Sequence, residues 1–135
     1  MASEYPAGID VDILGRSIPM DDGRAALLIR VTYAPGSHIS PHTDPGTGVW
    51  AVERGAIGFA VQEGEAVVTR AGSAGREQMK AGSETVLNVG DTASYGPDNV
   101  HTSRNAGDAP ATILIGGVYA EEGSLVHPAT TPPSR

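Results

Sequence analysis

Three residues, two close together and one far along the chain, carry the chemistry that this sequence could perform. His42 and Asp44 lie two apart in PGSHISPHTD, residues 35–44, and on a strand that spacing points both side chains to one face. His101 follows far along, in GPDNVHTSRN, residues 96–105, flanked by turn-rich stretches. Two imidazoles and one carboxylate on one face form the facial triad that suits non-haem iron(II) and leaves coordination positions open for oxygen and substrate. The same donors accept Mn, Ni, Co or Zn. With no metal at all, His42 or His101 could act as a catalytic acid or base. Asp44 has a second reading, because Asp before Pro-Gly is an ordinary turn opener whose carboxylate caps nearby N–H groups.

Several neighbours are candidates for a surrounding substrate pocket. His38 shares parity with His42 on an unbroken strand and would then be a substitute ligand, although Pro41 intervenes. Trp50, the only tryptophan, is read either as an apolar pocket wall or as a core or subunit contact. Tyr95 could offer a hydroxyl to a ligand, with a surface position at a hairpin end as the alternative. Glu53 has the opposite parity to Trp50 and is expected to face solvent or pair with a neighbouring strand. Asn105, before Ala-Gly-Asp, reads as a turn residue. Other enzyme classes find no support: no GxSxG elbow, P-loop, Rossmann glycine pattern or HExxH occurs, and the single lysine, Lys80, lies in a polar stretch unsuited to Schiff-base chemistry.

The elements that must position these residues are short. Of 135 residues, 18 are Gly and 10 are Pro, which argues for many turns and against long helices. Apolar runs at residues 25–33, 49–52, 56–61, 66–69, 85–89 and 111–119 are rich in Val, Ile, Thr and Tyr, and turn signals separate them, predicting an all-β sandwich or barrel. Residues 70–84, polar and carrying three glycines, read as a long hairpin loop. One domain is expected, with a body over about residues 9–127, His127 at the start of the tail, and residues 128–135 as a flexible end.

Charge and cysteine content limit the partners. A net charge of −7 offers no basic stripe, so neither nucleic acid nor a membrane surface is an expected partner. The absence of cysteine removes disulfides, Cys-based zinc sites and thiol nucleophiles. The first residues lack a basic and an apolar segment, and no apolar run approaches the roughly 20 residues that span a bilayer, so a cytoplasmic protein is the expectation.

Residues 36–55 resemble the first cupin motif, G-x5-H-x-H-x3,4-E-x6-G, with Gly36, His42 and Gly55 in register. Residues 90–105 resemble the second, G-x5-P-x-G-x2-H-x3-N, through Gly90, His101 and Asn105. Asp44 stands where the second histidine is usual and Gly48 where the glutamate is, while Gly96 and Asp98 replace the second motif's Pro and Gly. The resemblance implies a small double-stranded β-helix, a cupin or jelly-roll-like barrel, that acts on a small-molecule substrate. It also implies a metal-dependent enzyme such as an iron(II) dioxygenase, with His42, Asp44 and His101 as ligands. The altered positions keep open a metal-free isomerase, cyclase or lyase, and a non-catalytic binding module. Barrels of this family often pair through outer strands, which makes a homodimer the expected assembly.

Overall fold

The computed structural model describes residues 6–43 and 46–120, together with the backbone of residues 127–128. Among these residues every regular element is a strand: β1 (Ile9–Arg16), β2 (Arg24–Tyr33), β3 (His38–Thr43), β4 (Gly46–Arg54), β5 (Ala56–Glu63), β6 (Glu65–Thr69), β7 (Arg76–Lys80), β8 (Glu84–Asn88), β9 (Thr92–Tyr95), β10 (Val100–Asn105), β11 (Ala111–Ala120) and β12 (His127–Pro128). They form two antiparallel sheets. One has the order β1-β2-β11-β4-β9-β6-β7 and the other β12-β3-β10-β5-β8. The expected all-β, jelly-roll class is the fold observed. Among the described residues no helix is long and apolar enough to cross a membrane.

Alternation along each strand decides what fills the space between the sheets. In β2, Ala25, Leu27, Ile29, Val31 and Tyr33 are buried while the residues between them are half-buried or exposed. β5 contributes Ile57, Phe59 and Val61 from the opposite sheet by the same period. Every aromatic residue in the described part of the chain, Tyr33, Trp50, Phe59, Tyr95 and Tyr119, is buried in this one core. Glu53 takes the outer face as its parity requires, where it accepts from the Arg30 guanidinium at 2.9 and 3.3 Å.

Three expectations need correction. Residues 70–84 are not a continuous loop, because β7 pairs with β6 from Glu65↔Lys80 to Thr69↔Arg76. Only Met79 of β7 turns inward, so the strand has no apolar stripe to betray it, and its charged residues suit a sheet edge that must not recruit another strand. The stretch between the apolar runs at 85–89 and 111–119 is likewise more than turn, since it contains β9, which pairs with both β4 and β6. His127 and Pro128 belong to β12, paired with Thr43 and His42 of β3, rather than to a tail. The motif glycines do serve the backbone: Gly36, Gly55 and Gly90 have φ of 80°, 76° and 91°, a region that side chains disfavour.

Asp91 ties the turn between β8 and β9 to the β6–β7 connection. Its carboxylate accepts from the amides of Asn88 and Ala71, both at 2.8 Å, and from Arg70 Nη1 at 3.1 Å. Burial would raise its pKa, but these donors outweigh burial and hold the carboxyl below its ordinary value. Replacement of Asp91 by alanine should cost roughly 3 kcal/mol of unfolding free energy in urea titrations at neutral pH. A depressed folded value means that this contribution is complete above the usual carboxyl pKa and is lost as pH falls through the folded one. As pH falls below the usual carboxyl value of about 3.9, the Asp91→Asn protein should therefore lose stability less steeply than the parent, and parallel profiles would refute this role.

Candidate functional site

His42 reaches the interior through an irregularity in β3. Across the β3–β10 pair His101 faces His42 and Ser103 faces Ile39, so three steps on β3 match two on β10. The extra residue, in the segment containing Ser40 and Pro41, is a bulge that breaks strict alternation: His38 is exposed, Ile39 buried, Ser40 and Pro41 exposed, and His42 buried again. Pro41 has no N–H to lose from the ladder, which makes this a tolerant place for the insertion. His101 needs no such device. It is inward by the same parity as Ser103 and Asn105 in β10, and all three are buried.

The two imidazoles meet edge to face, with centroids 4.2 Å apart and planes at 62°. His42 Nδ1 lies 2.8 Å from the Ser40 carbonyl oxygen, and a carbonyl can only accept, so Nδ1 carries the proton. His101 Nδ1 donates in the same way to Asn99 Oδ1 at 2.8 Å. The orientation of that amide is set by Asn99 Nδ2, which donates to the Glu65 carbonyl at 2.9 Å. In their neutral forms both rings therefore carry the lone pair on Nε2. Burial, and then the proximity of His42, push the His101 pKa well below its ordinary value, which keeps that ring neutral.

Aromatic side chains hold His101 in place. Tyr95 packs on it at 4.2 Å and Phe59 at 5.4 Å, and Trp50 Nε1 donates to the Tyr95 hydroxyl at 3.0 Å. A cavity of about 50 Å³ lies beside the histidines. Val31, Ile39, Trp50 and Ile113 are among its apolar lining residues, and Tyr33, Tyr95, Ser103 and Tyr119 line it as well. Tyr33 and Ser103 hydroxyls are 2.9 Å apart. Among the described residues no buried side-chain nitrogen or oxygen lacks a hydrogen-bond partner.

The structure thus brings His42, His101, Trp50 and Tyr95 together. The surface alternative for Tyr95 is corrected, because β9 carries it inward. His38 is also corrected: the bulge leaves it on the outer face, opposite Arg104 and beside Gly58 in a shallow groove, where it cannot substitute as a ligand in the barrel. Asp44 lies outside the described residues. Among those that are described, no group of three His, Cys, Asp or Glu is placed to hold a metal. Asn105 is structural, donating to the Tyr33 and Ala109 carbonyls and accepting from the Gly107 amide. Sequence reasoning passed over Asn99, Ser103 and Tyr119. Tyr119 had a legible signal, since it shares inward parity with Ile113 and Ile115 in β11.

No protein-family model matches the chain, and no curated protein matches it. Solved structures do. The chain is similar to a cupin 2 domain-containing protein from Halorhodospira halophila, with 13% identity, 96% of this chain and 75% of that one covered, and a TM-score of 0.59. It is also similar to vicilin from Solanum melongena (19%, 90% and 30% covered, 0.57) and to salicylate 1,2-dioxygenase from Pseudoaminobacter salicylatoxidans in complex with gentisate (12%, 83% and 25% covered, 0.58). It spans less than a third of the last two proteins. The chain is a cupin-fold protein.

If the Asn99 carboxamide sets the His101 tautomer, Asn99→Ala should destabilise the protein by about 2 kcal/mol, the scale for stranding a buried donor. Nitrogen-15 NMR of the imidazoles should show the Nδ1–H form at His101 in the parent and a mixture of tautomers in the variant. An unchanged spectrum would show that the amide does not hold the ring.

Proposed function

We propose that this chain is a small-molecule-acting cupin whose barrel holds a divalent transition metal, iron(II) first, through His42, His101 and Asp44, in dioxygenase-type chemistry. The observation that carries the reading is the pair of neighbouring imidazoles, each with Nδ1–H committed to an oxygen, the tautomer that puts the lone pair on Nε2. Metal-bound histidines characteristically donate their other ring N–H to a carbonyl or carboxylate, which fixes orientation and raises basicity. A first-row ion sits about 2 Å from an imidazole nitrogen, so rings this close can share one. Such an ion would supply a Lewis acid with open positions for oxygen and substrate. The remaining roles fall to the chain itself: His42 and His101 hold the ion, the aliphatic and aromatic walls exclude water, and the hydroxyls of Tyr95 and Tyr119 orient the substrate. A dioxygenase among the similar structures agrees with this chemistry.

A metal-free pocket is the second reading, and the Tyr119 hydroxyl favours it. A Cβ on Gly48 would stand 2.8 Å from that hydroxyl, so a phenol fills the place where a carboxylate at position 48 would project. In that case His42 or His101, through its Nε2 lone pair, acts as the base of an isomerase, cyclase or lyase, or the barrel merely binds its ligand.

Elemental mass spectrometry of untagged protein decides between them. The metal reading expects about one equivalent of a transition metal, a fall to roughly a tenth in His42→Ala, His101→Ala and Asp44→Ala, and a lower melting temperature with chelator. Metal far below one equivalent after reconstitution would overturn it. Turnover that then survives chelation and is lost in folded His101→Ala would establish the acid–base reading.

A further inference from the structure

Three inward-facing glycines surround one side chain. Gly117 of β11 pairs with Gly48 of β4, and Tyr119 pairs with Gly46. A Cβ on Gly117 would come within 2.6–2.8 Å of the Tyr119 ring and hydroxyl. One on Gly48 would stand 2.8 Å from the hydroxyl, and one on Gly46 would stand 2.8 Å from ring atom Cδ1 and overlap the Val118 carbonyl. Separations below 3.0 Å are ones real Cβ atoms essentially never show. Glycine inside a strand forfeits packing and costs backbone entropy, and is found where something must approach closely. Here the approaching group is the phenol ring, 3% exposed, which lies over the inner surface of β4 and β11 and lines the same cavity as His42 and His101.

We propose that Tyr119 is the specificity-determining residue of the barrel: seated on Gly46, Gly48 and Gly117, its ring sets an upper limit on ligand size and its hydroxyl faces the ligand. The inference rests on the barrel interior being the ligand site. An apolar cavity of about 150 Å³ accommodates benzene, whereas the volume here is about 50 Å³. The described lining contains His but no Asp, Glu, Lys or Arg. The ligand class that fits is a molecule smaller than a six-membered ring, bearing a hydroxyl or carbonyl that Tyr119, Tyr95 and the imidazoles can meet.

Phenol, uncharged at neutral pH, is the probe, with binding followed by calorimetry and by NMR of its ring protons. Tyr119→Ala should bind phenol at least about tenfold more tightly than the parent, while Tyr119→Phe, which keeps the ring, should exclude it as the parent does. Equal affinity in parent and Tyr119→Ala would overturn the role of Tyr119 and leave the barrel as a ligand site. Failure of folded Tyr119→Ala to bind phenol would overturn both. The seat has its own test in the melting temperature: Gly117→Ala should lower it in the parent and leave it nearly unchanged in Tyr119→Ala. An equal drop in both backgrounds would show that Gly117 serves something other than the tyrosine.

Discussion

The contact between His42 and His101 depends on one extra residue in β3. Without the bulge around Ser40 and Pro41, the period of two that buries Ile39 would carry His42 to the outer face along with His38 and Ser40. The bulge also supplies the acceptor for the ring it redirects, because the Ser40 carbonyl takes the Nδ1 proton. One irregularity therefore sets both where the imidazole points and which nitrogen it presents. β10 keeps its own alternation from His101 to Asn105, the irregularity beside His101 lying in its pairing with β5, and Asn99, two residues before His101, takes the corresponding proton. The two strands reach equivalent ends by different local means, and their pairing brings the rings to 4.2 Å.

Around this pair the barrel has to be apolar enough to fold yet offer every polar atom a partner. It meets both demands with few side chains. Phe59 contacts Trp50, Tyr95 and His101, so one fully buried ring braces much of the site. Trp50 and Tyr95 satisfy one another across β4 and β9, and the hydroxyls of Tyr33 and Ser103 do so between the sheets. Buried polar groups satisfied in this way rigidify a core, where half-satisfied ones would undermine it. The same low-polarity surroundings keep His101 neutral, so the property that stabilises the core also prepares a donor nitrogen.

The strands with the strongest apolar alternation, β2, β5 and β11, were legible in the sequence because burial on one face is written into their period. β3, β7, β9 and β10 were not. Each is four to six residues long and offers too few inward apolar residues to show a period: Ile39 in β3, Met79 in β7, Ala93 and Tyr95 in β9, and Val100 in β10 beside the buried His101, Ser103 and Asn105. These are largely the strands that build the site, since a site is where polar residues replace apolar ones on the inner face. Motif spacing singled out His42 and His101 without knowledge of their strands, and the structure places the two rings side by side. Neither approach could place His38, whose exposure follows from a bulge that only the pairing with β10 reveals. The inward parity of Tyr119 was legible, but its seat was not, being composed of glycines from two strands that are distant in sequence and adjacent in space.

Charge is the remaining constraint on what the barrel can hold. Its described lining is neutral, and a dication taken from water into such a space against neutral donors alone loses more hydration energy than two imidazoles return. A carboxylate in the coordination sphere offsets much of that cost, and position 48, where one could have entered from β4, is glycine beneath the Tyr119 ring. Asp44, two residues beyond His42, is the one acidic residue that the sequence places next to the histidines, and so the metal reading rests its charge balance there. The neutral alternative makes the opposite demand, that nothing charged enter, and it draws on side chains that already line the cavity: two histidines, three tyrosines and Ser103. Both readings require the tautomers that Ser40 and Asn99 impose, because an Nε2 lone pair is the ligand in one and the base in the other.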